Sequence, residues 1–465
     1  MSITTTSHSP YIWSPAAAPM IWEVYSSTWG ESTRIDYKYV FDIYINDVFF
    51  MRIKQKPNAT GYATIDVSPF CEQSLDLASS NWLLGEDEYF KKGEGLSGRV
   101  YCYVGEEYRT ADGAALEIHN GTNDDIGNPT YGLYANGTVK PVRFFGGVLN
   151  NLEAYKNEVN NSIVKEFEMN VGSSGTAGRF LTEFPHSTVA EPVYQKLQTD
   201  DNATLTFLNK RDGGDGVVND YVYSAEILFY QDGVYVSSTY WPNITTTYNG
   251  GPLILCNGSG VTGDETYDLM QLNVTPSKIL SKGQVANEYF IRLTDKVNNC
   301  MAGTPISLIQ AFKVVDDDCS GFRKWRFGWL NKWGGLDFFN FVKRDTEKIT
   351  SKKQAYYKLP SHWTSGAYTS ASINPMDYGM TTNMNTKETM FSASTDWLTE
   401  VESTFLEGMI SSSFIFVQDL EDTDITIPIK LKTASYEIQN NKRSTQLYQV
   451  NVDFSYNFNT NKQKI

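Results

Sequence analysis

From Tyr37 the chain alternates: Tyr37, Tyr39, Phe41, Ile43 and Ile45 take every second position, with Lys38, Val40, Asp42 and Tyr44 between them. Successive side chains of an extended chain point to opposite faces. A period of two therefore commits this segment to a half-buried strand, because an amphipathic helix needs apolar residues every three or four. Asn46-Asp47 reads as a tight turn and residues 48–55 as the return strand. Beyond the Lys56-Pro57-Asn58 break, residues 61–67 read as the third strand of a meander.

The same idiom recurs along the chain. Residues 20–26, 99–109, 205–208, 221–230, 234–240, 289–293 and 306–315 read as strands, and 142–151 and 164–170 as short apolar runs. Gln231-Asp232-Gly233 makes a hairpin turn between two of them, since glycine tolerates positive φ. Residues 112–136, rich in Gly, Asn, Asp and Thr, read as long loops. Aromatic residues make up 14% of the chain, and these side chains favour strands and bury large areas.

One segment has a strong helical period. Trp397, Val401, Phe405 and Met409 recur every four residues, with Leu398 and Ile410 beside them. Thr395 and Asp396 stand at the expected N-cap, and Glu400 and Glu402 fall near the positive end of the helix dipole. Residues 68–84 hold a shorter helical stretch. Strands at 414–418, 425–439 and 447–458 close the chain, the last two joined by a turn at 440–443. The expected fold class is mainly β: several β-sandwich-like modules, with a C-terminal helix packed on antiparallel strands. Breaks in the pattern place the modules at 1–195, 196–345 and 346–465.

The formal net charge of −15 argues against sequence-independent affinity for nucleic acid and against docking on an anionic membrane. No run of eighteen apolar residues and no basic leader is present, so a soluble chain made in a cytoplasm is expected. Cys71, Cys102, Cys256, Cys300 and Cys319 are far apart with no CxxC, and read as buried free thiols. His8, His119, His186 and His362 stand apart from any nucleophile motif. Asp316-Asp317-Asp318 could offer oxygen ligands to calcium, but the spacing fits no EF-hand and reads as a solvated turn. The glycines at 213, 214 and 216 lack the Gly-Lys-Ser/Thr of a phosphate loop. No catalytic, cofactor-binding or metal-ligating residue is assigned, and no enzymatic activity is expected.

The most informative stretch is residues 319–341. Two aromatic-rich strands flank a turn at Asn331 to Gly335, where paired glycines permit the reversal and Asp337 could brace it. Trp329, Leu330, Asn331, Gly334, Gly335, Asp337, Phe338 and Phe341 form this structural motif.

The run WLNKWGGLDFFNF resembles a pattern in virion structural proteins of tailed bacteriophages, especially those infecting Bacteroidota. Residues 39–68, 396–418, 427–438 and 447–458 fit the same resemblance, in matching order. It implies a tail or baseplate component, assembled in the host cytoplasm, that acts by homo-oligomerisation and contact with other virion proteins. A receptor-binding or carbohydrate-binding protein of the particle is the alternative, on exposed Tyr and Trp that could stack on sugar rings; a glycan-degrading enzyme is a more distant one. The resemblance carries no active-site residue with it.

Overall fold

A computed structural model describes residues 3–5, 13–26, 29–75, 90–92, 95–120, 142–148, 166–167, 169, 177–209, 222, 224–242, 247–248, 251–252, 269–281, 285–294, 304–315, 322–343, 345–358, 379–418, 426–432, 449–457 and 461–464. The protein is mainly β, built from several antiparallel sheets with one longer helix near the C-terminus. Among the described residues no helix is long and apolar enough to cross a membrane. The chain divides into two compact units, one of Met1–Asp316 with Trp329–Phe338, the other of Asp317–Gly328 with Phe339–Ile465. The sequence reading instead drew boundaries near 195 and 345. Gln195 lies inside a strand, Tyr194–Leu197. Phe90, Met169 and Phe180 share one core with Leu205, Ile227 and Ile291.

The first unit holds two sheet-on-sheet cores. In the first, Ile35–Ile45 pairs with Val48–Gln55 on one side and Ser97–Arg109 on the other. Val142–Phe145 and Trp13–Pro15 extend this sheet. Tyr39, Phe41 and Ile43 pack against Trp22, Val24 and Ile65 of a second sheet. The alternation from Tyr37 is therefore the inner face of this core. Asn46 and Asp47 both take positive φ, as the favoured two-residue hairpin turn requires.

The meander stops after two strands. Tyr62–Asp66 pairs with Ile21–Ser26 in the other sheet. The link between is a side-chain-made turn: Asn58 Oδ1 accepts from the Thr60 and Tyr62 amides, and Pro57 has no N–H to offer a ladder. Glu117–Asn120, in the stretch read as loops, forms a strand on Ser97–Arg109; residues 121–136 lie outside the described residues.

In the second core, Phe207, Met270 and Leu272 of one sheet face Ile227, Phe229, Tyr289, Ile291 and Phe312 of another. The turn between Ser224–Gln231 and Val234–Pro242 has Asp232 and Gly233 at positive φ, as the sequence predicts.

The second unit contains the sheet strands Asp345–Lys358, Gly379–Ser394, Ile415–Gln418, Thr426–Leu431, Asn451–Tyr456 and Asn461–Lys464, and the helix Glu400–Ser411. Its N-cap is Thr399, not Thr395 or Asp396. Thr399 and Glu402 form a reciprocal capping box, Glu402 accepting from the Thr399 amide at 2.9 Å. Thr395 is held by the sheet, its amide donating to the Val450 carbonyl and its hydroxyl accepting from the Val450 amide. The later start turns the apolar stripe: Phe405, Leu406 and Met409 are buried, whereas Trp397 and Val401 are exposed. The turn at 440–443 lies outside the described residues.

Candidate assembly surface

The motif singled out in the sequence forms the expected hairpin, Trp325–Leu330 with Leu336–Phe341. Trp329, Leu330, Asn331, Asp337, Phe338 and Phe341 are all buried. Asn331 organises the turn. Its Oδ1 accepts from the amides of Trp333 and Gly335, at 2.9 and 3.0 Å. Its Nδ2 donates to the Leu181 carbonyl and to Asp337 Oδ2, both at 2.9 Å. Asp337 also accepts from the Thr182 hydroxyl and the Glu183 amide.

The loop at 181–183 and the hairpin turn are thus tied by a satisfied buried network, which specifies one arrangement strongly. Burial pushes the Asp337 carboxyl up to about 6, against the lowering by its three donors. At neutral pH the anion prevails, in the form those donors require. Gly334 adopts φ +82°, where a Cβ would lie 2.7 Å from the Gly146 backbone. At Gly335 a Cβ would overlap the Leu181 carbonyl oxygen. These residues build a buried brace inside the first unit.

What lies open is the next hairpin, Asp345–Lys358 with Gly379–Ser394. Its base joins the sheet, where Phe391 to Ser394 pair with Asn451 to Phe454. Outward of that base, Thr346 to Ile349 and Ser351 to Tyr357 are exposed along the edge strand. Ile349 and Tyr357 are 56% and 73% exposed, and Met380, opposite Tyr357, is 69% exposed. Both faces of this edge strand are therefore open among the described residues. Lys348, Lys352, Lys353 and Lys387 have no acidic partner among the described residues. Nothing in the sequence reading marked this segment, although its lysines, tyrosines and threonines alternate without a consistently apolar face.

Two smaller exposed features lie in the first unit. Val234, Tyr235 and Val236 are exposed on Val234–Pro242, which ends its sheet. On the outer face of the first sheet, Tyr44 stacks on Tyr101 with ring centroids 5.2 Å apart and meets Tyr103 and Phe49 edge-on.

The groups weighed for chemistry are placed apart. His186 accepts from the Phe180 amide and stacks on its ring; burial and the nearby Arg179 lower its pKa to about 4. Cys71 and Cys102 are free and buried, and burial pushes both thiols up. His8, His362, the other three cysteines and Asp316–Asp318 lie outside the described residues. Among the described residues no group of three or more His, Cys, Asp or Glu could hold a metal ion. Compared with protein-family models and with curated proteins, the chain matches none.

Proposed function

We propose that this chain is a non-enzymatic structural subunit of a larger assembly, of the tail or baseplate kind implied by its resemblance to phage virion proteins. The observation that carries the reading is the Asp345–Lys358/Gly379–Ser394 hairpin, with an edge strand open on both faces. Exposed apolar side chains gathered on one element mark contact sites. A subunit that meets neighbours through this element covers those side chains. Sedimentation velocity at micromolar concentration tests the proposal. Self-association, or co-sedimentation with other virion proteins, is expected; a monomer that joins no particle overturns it.

The Tyr44, Tyr101, Tyr103 and Phe49 cluster supports a second reading, a glycan-binding component of the same particle. Ring faces stack on pyranose rings, and Arg52 paired with Asp42 supplies polar groups beside them. Titration with host-surface oligosaccharide tests it. Binding lost in Tyr44→Ala supports this reading, and no binding by the native chain removes it.

A further inference from the structure

The formal charge of the chain is unevenly placed. Lysine plus arginine balance aspartate plus glutamate in the second unit, so the whole net charge of −15 lies in the first. Several basic residues of that unit are engaged by its own carboxylates: Arg34 by Glu106, Lys54 by Glu107, Arg292 by Glu226 and Lys313 by Glu288. The second unit concentrates cations on the open hairpin. Between residues 348 and 358, and from 379 to 387, stand Lys348, Lys352, Lys353, Lys358 and Lys387, with no Asp or Glu. Lys462 and Lys464 belong to the strand Asn461–Lys464, which pairs with Met384 to Lys387.

Two features of the hairpin bear on what it meets. Lysines along an edge strand oppose extension of the ladder by another strand, so docking through side chains is favoured over strand addition. The cations are interleaved with apolar groups: Ile349 and Tyr357 lie on one strand, Met380 opposite Tyr357, and Lys353 between them in sequence. Such a surface suits a protein face carrying carboxylates around apolar contacts, because opposite potentials steer encounter and the apolar groups supply burial.

Resting on the assembly reading above, we infer that this hairpin is a docking arm that grips the acidic first unit of a second copy of the chain. The arm and its target are different surfaces of the same molecule. The contact is either reciprocal, each copy's arm on the other's first unit in a closed two-fold dimer, or head to tail, repeating into a ring or filament.

The test is sedimentation velocity of the full chain at micromolar concentration, at about 50 mM and about 500 mM salt, with the triple variant K352E/K353E/K387E. A second variant, Ile349→Ser with Tyr357→Ser, probes the apolar part. These side chains are exposed, so circular dichroism and melting should match the native chain. Native self-association is expected to weaken roughly tenfold or more at high salt and in the triple variant, and to weaken in the serine variant. If the native chain assembles and neither variant alters it, the arm is not the contact, while the assembly reading stands. A native chain that is monomeric at low salt overturns the inference, and the assembly reading falls with it only if that monomer also joins no particle. Heparin or DNA captured by the native chain and lost in the triple variant, with self-association unchanged, reassigns the arm to an anionic polymer and overturns the inference.

Discussion

Two hairpins follow one another in this chain and meet opposite fates. In Trp325–Leu330/Leu336–Phe341, Trp329, Asn331 and Asp337 are buried; in Asp345–Lys358/Gly379–Ser394, the edge strand from Ser351 to Tyr357 is exposed throughout. The ladders are alike in kind, so hydrogen bonding does not separate them. Side-chain volume and turn chemistry do. The first has aromatic residues on both faces and a turn whose donors and acceptors are satisfied by Asn331 and Asp337. The second has Lys, Thr, Ser and Gln on both faces, with apolar residues too sparse to make a core. A sealed hairpin makes a fixed brace, and an open one leaves its side chains to solvent.

The comparison breaks most severely at Gly335. Gly335→Val would drive its side chain into the Leu181 carbonyl, and a loss of at least about 4 kcal/mol is expected, read as failure to yield folded protein. Gly334→Val is also expected to impair folding, by positive φ and by approach to Gly146. Gly233→Ala is the control. It shares the positive φ but has nothing within 4 Å, so only about 1 kcal/mol is expected in a thermal melt. Gly121, a natural loop control from the sequence, lies outside the described residues.

Next in size is the turn network. Asn331→Ala removes the acceptor for two backbone amides and a donor to buried Asp337, so a loss of about 3 kcal/mol is expected in chemical denaturation. A loss under about 1 kcal/mol would show that the turn holds without its side-chain hub.

Asp337 sharpens the same contrast through pH. Its folded pKa of about 6 lies above its ordinary value of 3.8, so the folded protein holds the proton more tightly than the unfolded chain. The stabilisation is fully present below about pH 4 and is lost as pH rises through about 6. The loss is on the order of 3 kcal/mol, from a shift of about two units. Asp337→Asn should remove this slope, whatever its constant cost from mispaired donors. Parallel stability curves for the two proteins between pH 4 and 7 would contradict the assignment.

The smallest effect belongs to the open hairpin. Tyr357→Ser or Lys353→Ser should change the stability of the isolated chain by no more than about 0.5 kcal/mol, because neither side chain is covered. A loss above about 2 kcal/mol would place the arm against this chain's own surface rather than a neighbour's.

Period-two alternation at Tyr37 to Ile45, the Asn46-Asp47 and Asp232-Gly233 turns and the Asn331 to Gly335 reversal were legible in the sequence. Each is fixed by neighbours within a few residues: strand faces by pleating, turns by backbones that accept positive φ. The helix was legible in kind but not in phase. A four-residue recurrence on Trp397 outweighed the Thr399–Glu402 capping box, and only the sheet's hold on Thr395 showed why helix begins at Glu400. Tertiary structure alone decided that Tyr62–Asp66 leaves the meander for another sheet, that Asn331 and Asp337 meet the loop at Leu181 to Glu183, and that the 345–394 hairpin stays open. Those outcomes depend on residues far apart in sequence reaching one place. Local pattern sets which face a side chain takes; whether anything covers that face depends on distant segments.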